Sequence, residues 1–179
     1  MWLAQVQDEQ SRTSLAELVA DGARTQARDP RFRRELASWM RSNTSSREDG
    51  LPGYSIGLGN LMSRIAPFFI GAVNWGSRQA LVDRKLVMDA PALFVLWTVR
   101  DEPRAWLGAG QALDRALLTA ASAGVSAGFM NQPVQCPELR ESLRSLNKNS
   151  PGFAQAVIRL GYARAAPLTK RRSVAAVVS

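Results

Sequence analysis

Residues 93–99 read LFVLWTV, an unbroken run of branched, aromatic and apolar side chains with a single threonine. Such residues favour extended backbone, because their bulk close to Cβ packs well on a pleated surface. A half-exposed strand alternates apolar and polar positions. This one does not, so it predicts a central strand covered on both faces. The rest of the chain must then supply two covering layers.

The downstream sequence offers helices and further strands for this. Pro103 suits the first turn of a helix, and Trp106, Ala109, Leu113, Ala116, Ala120 and Ala123 follow at steps of three and four. The small side chains on that face predict a close approach by a sheet or a second helix, and Gly124 is a natural stop. SAGFM, residues 126–130, reads as a short strand. CPELRESLRSLNK, residues 136–148, reads as a helix with Leu139, Leu143 and Leu146 inward. AQAVIRLGY, residues 154–162, reads as a second long strand.

Upstream, residues 14–27 place Leu15, Leu18, Val19, Gly22, Ala23 and Gln26 on one helical face, with Ser14 and Glu17 spaced as a capping box. DPRFRRELASWMR predicts a second helix, capped by Asp29, opened by Pro30, and striped by Phe32, Leu36, Trp39 and Met40. Residues 42–60 have loop chemistry throughout, either an active-site or interface loop or a disordered connector. Residues 61–89 predict broken helices. The fold class is α+β: a mostly antiparallel or mixed sheet flanked by helices, divided into an N-terminal helical segment and long loop (1–60) and an α+β domain (61–179).

Several chemistries are excluded. The chain has no histidine and one cysteine, Cys136, so nucleophile–histidine catalysis, internal disulfides and multi-cysteine metal sites are absent. Asp and Glu are scattered singly, with no pair of the kind a glycosidase or metal site uses. No metal is expected. Cys136 precedes Pro137 and reads as a passive helix cap. GLGN, residues 57–60, lacks the third glycine and the preceding strand of a dinucleotide fingerprint. The longest apolar stretches, IAPFFIGAV and APALFVLWTV, are shorter than the roughly 20 residues a bilayer span needs. The start carries no signal-like core. A cytoplasmic protein with no membrane association is the expectation.

The net charge is +8, with three cations in a row at Lys170, Arg171 and Arg172 between a turn and a further apolar segment. They are either a solvated surface or a grip on something negative. A basic nucleic-acid-binding module is a competing reading of the charge, but no nucleic-acid motif accompanies it.

Three phrases fall into a known order: PALFVLWTVRDEPRAWLGAGQALDRALLTAASAGVSAGFMNQP, then CPELRESL, then VIRLGYARAAPLTKRRSVAAVV. Together they resemble the C-terminal portion of the FMN-dependent nitroreductase family. The upstream DPRFRRELASWMR and DGLPG loop resemble more specifically its Acg-like branch, whose chains carry two nitroreductase-like halves. Residues 1–13 hold no counterpart of the family's N-terminal arginine-rich flavin segment, so the chain resembles the second half of such a protein. The resemblance implies FMN as cofactor, NAD(P)H as hydride donor, and a small nitroaromatic or quinone-like acceptor. It implies a homodimer or a separate N-terminal half as companion. It places Arg171, with Lys170 and Arg172 beside it, on the flavin phosphate. It places Met130, Asn131 and Gln132 against the isoalloxazine ring; the alternative is an ordinary strand-to-helix turn. Gly108–Gln111 either lets the long helix approach a cofactor or serves helix packing. No catalytic residue is assigned. A flavin-binding or storage protein with little turnover, lidded by residues 42–60, is the second reading.

Overall fold

A computed structural model of the chain describes residues 1–146, 152–164 and 167–178. They form two compact units, each discontinuous in sequence. One comprises residues 1–26 and 76–163, the other residues 27–75 and 164–179. The sequence boundary drawn at residue 60 falls inside the second.

The first unit is built on a four-stranded antiparallel sheet in the order β1-β4-β6-β5. Its strands are β1 (Trp2–Gln5), β4 (Ala92–Thr98), β5 (Ser126–Phe129) and β6 (Phe153–Gly161). The LFVLWTV run is β4, central as its composition demands, with Leu93, Val95, Leu96 and Trp97 all buried. β1 falls in the stretch that carried no sequence expectation. Its alternation of Trp2, Ala4 and Val6 toward the core was the available signal, and Trp2 stacks on Trp97 at 6.5 Å between ring centroids.

Two layers cover this sheet. On one face α1 (Glu9–Arg28), α4 (Gly76–Met88) and α7 (Pro137–Arg144) enclose Leu15, Val19, Val87, Leu93, Val157 and Leu143. On the other, α5 (Pro103–Ser122) packs Ala109, Ala112 and Leu113 on Leu96, Ala156 and Ile158. The sheet is thus the close neighbour that the alanine stripe required. Trp106 leaves the stripe: it is about half exposed, and its Nε1 donates to Asp101 Oδ1 at 2.7 Å. Gly124 stops the helix at φ +71°.

Helix α1 starts earlier than its apolar face indicates. Asp8, not Ser14, meets the first turn, its Oδ1 accepting from the Ser11 N–H at 2.8 Å. Arg12 then reaches the far end of α4, donating to the carbonyls of Val87, Met88 and Ala90, the last at 2.7 Å. Those carbonyls lie in and just beyond the last turn of α4, where a guanidinium is a suitable partner. The helix expected over 136–148 is α7, ending at Arg144; a separate short helix, α6 (Gln132–Gln135), precedes it, with Cys136 buried between them. Asn147 and Lys148 lie outside the described residues.

A β-bulge in β6 opposite Leu96 and Trp97 leaves Gln155 without a register partner. Such an extra residue re-aims its side chain. Gln155 Nε2 donates to Thr98 Oγ1 at 2.8 Å and to Asp101 at 3.2 Å. Arg140 binds the same carboxylate in a fork, at 2.8 and 2.9 Å.

The second unit contains α2 (Pro30–Trp39), the short parallel pair β2 (Met40–Arg41) and β3 (Leu51–Pro52), and α3 (Asn60–Ala72). Asp29 caps α2 through the Arg31 N–H and Pro30 opens it, as the sequence predicts. Residues 61–89 form two continuous helices, α3 and α4, parted at residues 73–75; α3 carries Pro67 inside it. The 42–60 loop is organised around Asn43, which donates to the Leu58 carbonyl and accepts from the Tyr54 N–H at 2.7 Å. Gly53 passes so close to Ser63 that a Cβ would collide with its side chain. Among the described residues no helix is long and apolar enough to cross a membrane.

Candidate functional site

The bend after β5 belongs to the first unit. Met130 is buried in the main core, and its N–H donates to the Val157 carbonyl at 2.9 Å, continuing the sheet ladder. The two amides that follow turn inward. Asn131 Oδ1 accepts from the Val157 N–H at 2.8 Å, and Gln132 Nε2 donates to Asp83 Oδ2 at 2.9 Å. Gly22 on α1 lies against the bend: a Cβ there would meet Gln132 Cβ at 2.6 Å and the Gln132 carbonyl carbon at 2.8 Å. The bend is therefore fixed by backbone contact on one side and by side-chain hydrogen bonds on the other.

This arrangement limits the donors that the bend can offer. Gln132 Nε2 is spent on Asp83, and Asn131 is oriented by its Oδ1 contact with the Val157 N–H. The backbone N–H groups of Asn131 and Gln132 have no acceptor among the described residues. Both open the short helix α6, where the first N–H groups have no intrahelical partner.

Asp83 is buried on α4, in line with Ala80 and Val87. Burial pushes its carboxyl above the ordinary range, opposed by hydrogen bonds from Gln79 and Gln132 and by the charge of Arg159. Gln132 Oε1 and Arg159 Nε are buried without a hydrogen-bond partner. Neither Asp83 nor Arg159 was singled out from sequence. A signal existed for both: a carboxylate on an apolar helix stripe, and an arginine inside the apolar strand VIRLG.

The basic triplet belongs to the second unit and is exposed. Lys170 Nζ donates to the Ser45 carbonyl at 3.3 Å, and Arg171 Nη1 donates to Thr169 Oγ1 at 2.5 Å. Among the described residues none of the three is paired with a carboxylate. The cavity beside Lys170, lined also by Arg41, Arg47, Asp49 and Tyr54, is about 30 Å³. That is room for about two waters. Arg41 holds the Asp49 carboxyl below its usual range through a hydrogen bond. The six residues singled out from sequence thus fall into two groups, three in each unit.

Cys136 caps α7 without a side-chain hydrogen bond. Burial, then the charge of Glu138, pushes its thiol upward, the opposite of a reactive cysteine. Among the described residues no cluster of metal-ligating side chains occurs.

By architecture this is a nitroreductase-fold protein. Its structure aligns over 99% of its length with the FMN-dependent nitroreductase NfnB of Mycobacterium smegmatis, solved in complex with NADPH, covering 77% of that chain at TM-score 0.52 and 15% identity. Sequence similarity leads to nitroreductases as well. Two Mycobacterium tuberculosis proteins, from strains CDC 1551 and H37Rv and both provisionally named NAD(P)H nitroreductases, are each 33% identical to it over 94 residues. That match takes in 50% of this chain but 27% of each relative. No family model matches the chain.

Proposed function

We propose that the chain is one lobe of an FMN-dependent oxidoreductase of nitroreductase type. In this reading it passes hydride from NAD(P)H to a nitroaromatic or quinone-like acceptor in the cytoplasm. The observation that carries the proposal is the bend at Asn131 and Gln132, with two backbone N–H groups left free and both side chains held back from them. An oxidised flavin ring presents hydrogen-bond acceptors at its reactive edge. Neutral amide N–H groups satisfy them without titrating, and a bend clamped by Gly22 and Asp83 holds those donors in place before a ligand arrives. The flavin supplies the redox chemistry; the protein supplies position and electrostatics.

Lys170, Arg171 and Arg172 are the groups we assign to the flavin phosphate. Three neighbouring cations without carboxylate partners suit a phosphomonoester, and guanidinium forks bind one in two places. The fold and the sequence similarity to nitroreductases support the same reading. A companion lobe completes the assembly, either a second copy or the other half of an Acg-like protein. The exposed Leu61, Phe68 and Phe69 on α3 favour such a companion.

The test is to load the purified protein with FMN, remove free flavin, and record visible flavin absorbance and NAD(P)H oxidation. Retained flavin with turnover is expected. Replacing all three tail cations with alanine should weaken retention by at least about tenfold, the loss of one charge-assisted hydrogen bond or more. A protein that retains no flavin removes the proposal, and one that retains it without oxidising NAD(P)H is a flavin store.

A further inference from the structure

At the end of the sheet in the first unit, an open cleft of about 360 Å³ lies between α4 and the β5–β6 pair. Its walls include Leu86, Pro91, Gly128, Arg159, Gly161 and Tyr162. The volume is within the range of small-ligand sites. Met130, Asn131 and Gln132 do not line it, so the cleft is distinct from the residues of this unit assigned to the flavin ring.

Arg159 is the group in this cleft that requires explanation. It interrupts an apolar strand, where β6 pairs it with Leu93 on one side and Gly128 on the other. Its side chain lies across Gly128 so closely that a Cβ there would meet Nε at 2.9 Å and Cζ at 3.2 Å. The glycine is what lets the guanidinium lie in this place. Yet Nε is buried without an acceptor, and Arg159 has no ion pair among the described residues. The nearest carboxylate, Asp83, acts on this guanidinium only through its charge, and a half-buried guanidinium N–H without an acceptor is costly, so an acceptor is expected nearby.

Nearby groups do not supply that acceptor. Asp83 accepts from Gln79 and Gln132 and makes no ion pair with Arg159. Asp89 on the rim is paired with Lys85 at 2.9 Å. The carbonyls at the end of α4, which would repel an anion, are taken up by Arg12. The negative groups around the cleft thus have hydrogen-bond or ion-pair partners of their own, while Arg159 Nε has no acceptor. Apolar Leu86, Leu160 and Pro91 leave room for a small hydrocarbon body, and Tyr162 stands at the rim with its phenol exposed.

We propose that this cleft binds an oxyanion, a carboxylate or phosphomonoester carried on a small body, with Arg159 as its cation and Gly128 as the residue that gives the cation its place.

The experiment is a titration of the ¹⁵N-labelled full chain with sodium phosphate and with sodium benzoate at constant ionic strength. Saturable shifts are expected in the amides of Gly128, Arg159, Leu160 and Gly161. Arg159→Gln should weaken them by at least about tenfold, as loss of a charge-assisted hydrogen bond implies. Gly128→Ala, which drives the guanidinium aside but leaves its charge, should weaken them as well. The same amides responding to FMN but not to riboflavin would identify the occupant as the flavin's phosphate; a response to benzoate with FMN already bound would identify a separate carboxylate site. Both outcomes support an oxyanion site. Wild-type amides that do not move, or saturable shifts that persist in Arg159→Gln, overturn it. Phosphate and benzoate need no flavin, so a chain that fails to retain FMN is still tested here on its own terms.

Discussion

Asp101 shows how much a single side chain can hold together. Arg140 grips it in a fork, and Trp106 and Gln155 donate to the same carboxylate, tying α5, α7 and β6 to one point. The hydrogen bonds from Arg140 are the largest cause of a carboxyl lowered to about 2 from 3.8. A lowered value in the folded state means that the contribution is fully present above the unfolded value and is lost as pH falls through the interval between the two. Acid titration of stability should therefore show a decline between pH 3.8 and about 2 that Asp101→Asn lacks. The size expected for a partly exposed fork is on the order of 1 kcal/mol. Urea melts of the two proteins at matched pH check this; parallel declines would contradict it.

Among the elements, α1 and the bend meet at Gly22. Alanine inside a helix gains up to about 1 kcal/mol over glycine. Here the new Cβ would lie 2.6 Å from Gln132 Cβ and 2.8 Å from its backbone carbon. Overpacking of this kind costs about 1–3 kcal/mol, so Gly22→Ala should be net destabilising in a thermal melt and should displace the free N–H groups of the bend. An unchanged melting temperature would show that the bend yields easily. In the sequence Gly22 appeared only as one position on an apolar stripe. The period of a helix shows which face turns inward, but not how near the neighbouring backbone comes. The same limit governs the rest. β4, α2, α5 and β6 announce themselves through local pattern, capping and composition. The pairing of Asp83 with Gln132 joins residues 49 positions apart, and the Arg159 cleft depends on a glycine in another strand. The start of α1 was misplaced for a local reason: Asp8 offers a cap as good as Ser14, and nothing in the apolar stripe favours one over the other.

For the whole molecule, exposed apolar surface is the dominant fact. In the second unit α3 turns Leu61, Phe68 and Phe69 outward, each more than half exposed, and in the first unit α5 does the same with Leu107 and Leu118. Contiguous apolar faces of this kind on a folded protein mark association surfaces. Sedimentation equilibrium should give a mass at least twice the 19.6 kDa of one chain, and charged substitutions at Phe68 and Phe69 should lower it without altering the circular dichroism. A single-chain mass in the unaltered protein would mean that these faces stay bare.

The lone cysteine has a practical consequence. Cys136 is buried at the junction of α6 and α7, and burial raises its thiol's hold on the proton. A disulfide reagent in solution can therefore modify this protein only during moments when that junction gapes. With no second sulfhydryl to blur the signal, the rate of colour release becomes a clock for the breathing of one corner of the molecule, with no engineered label required.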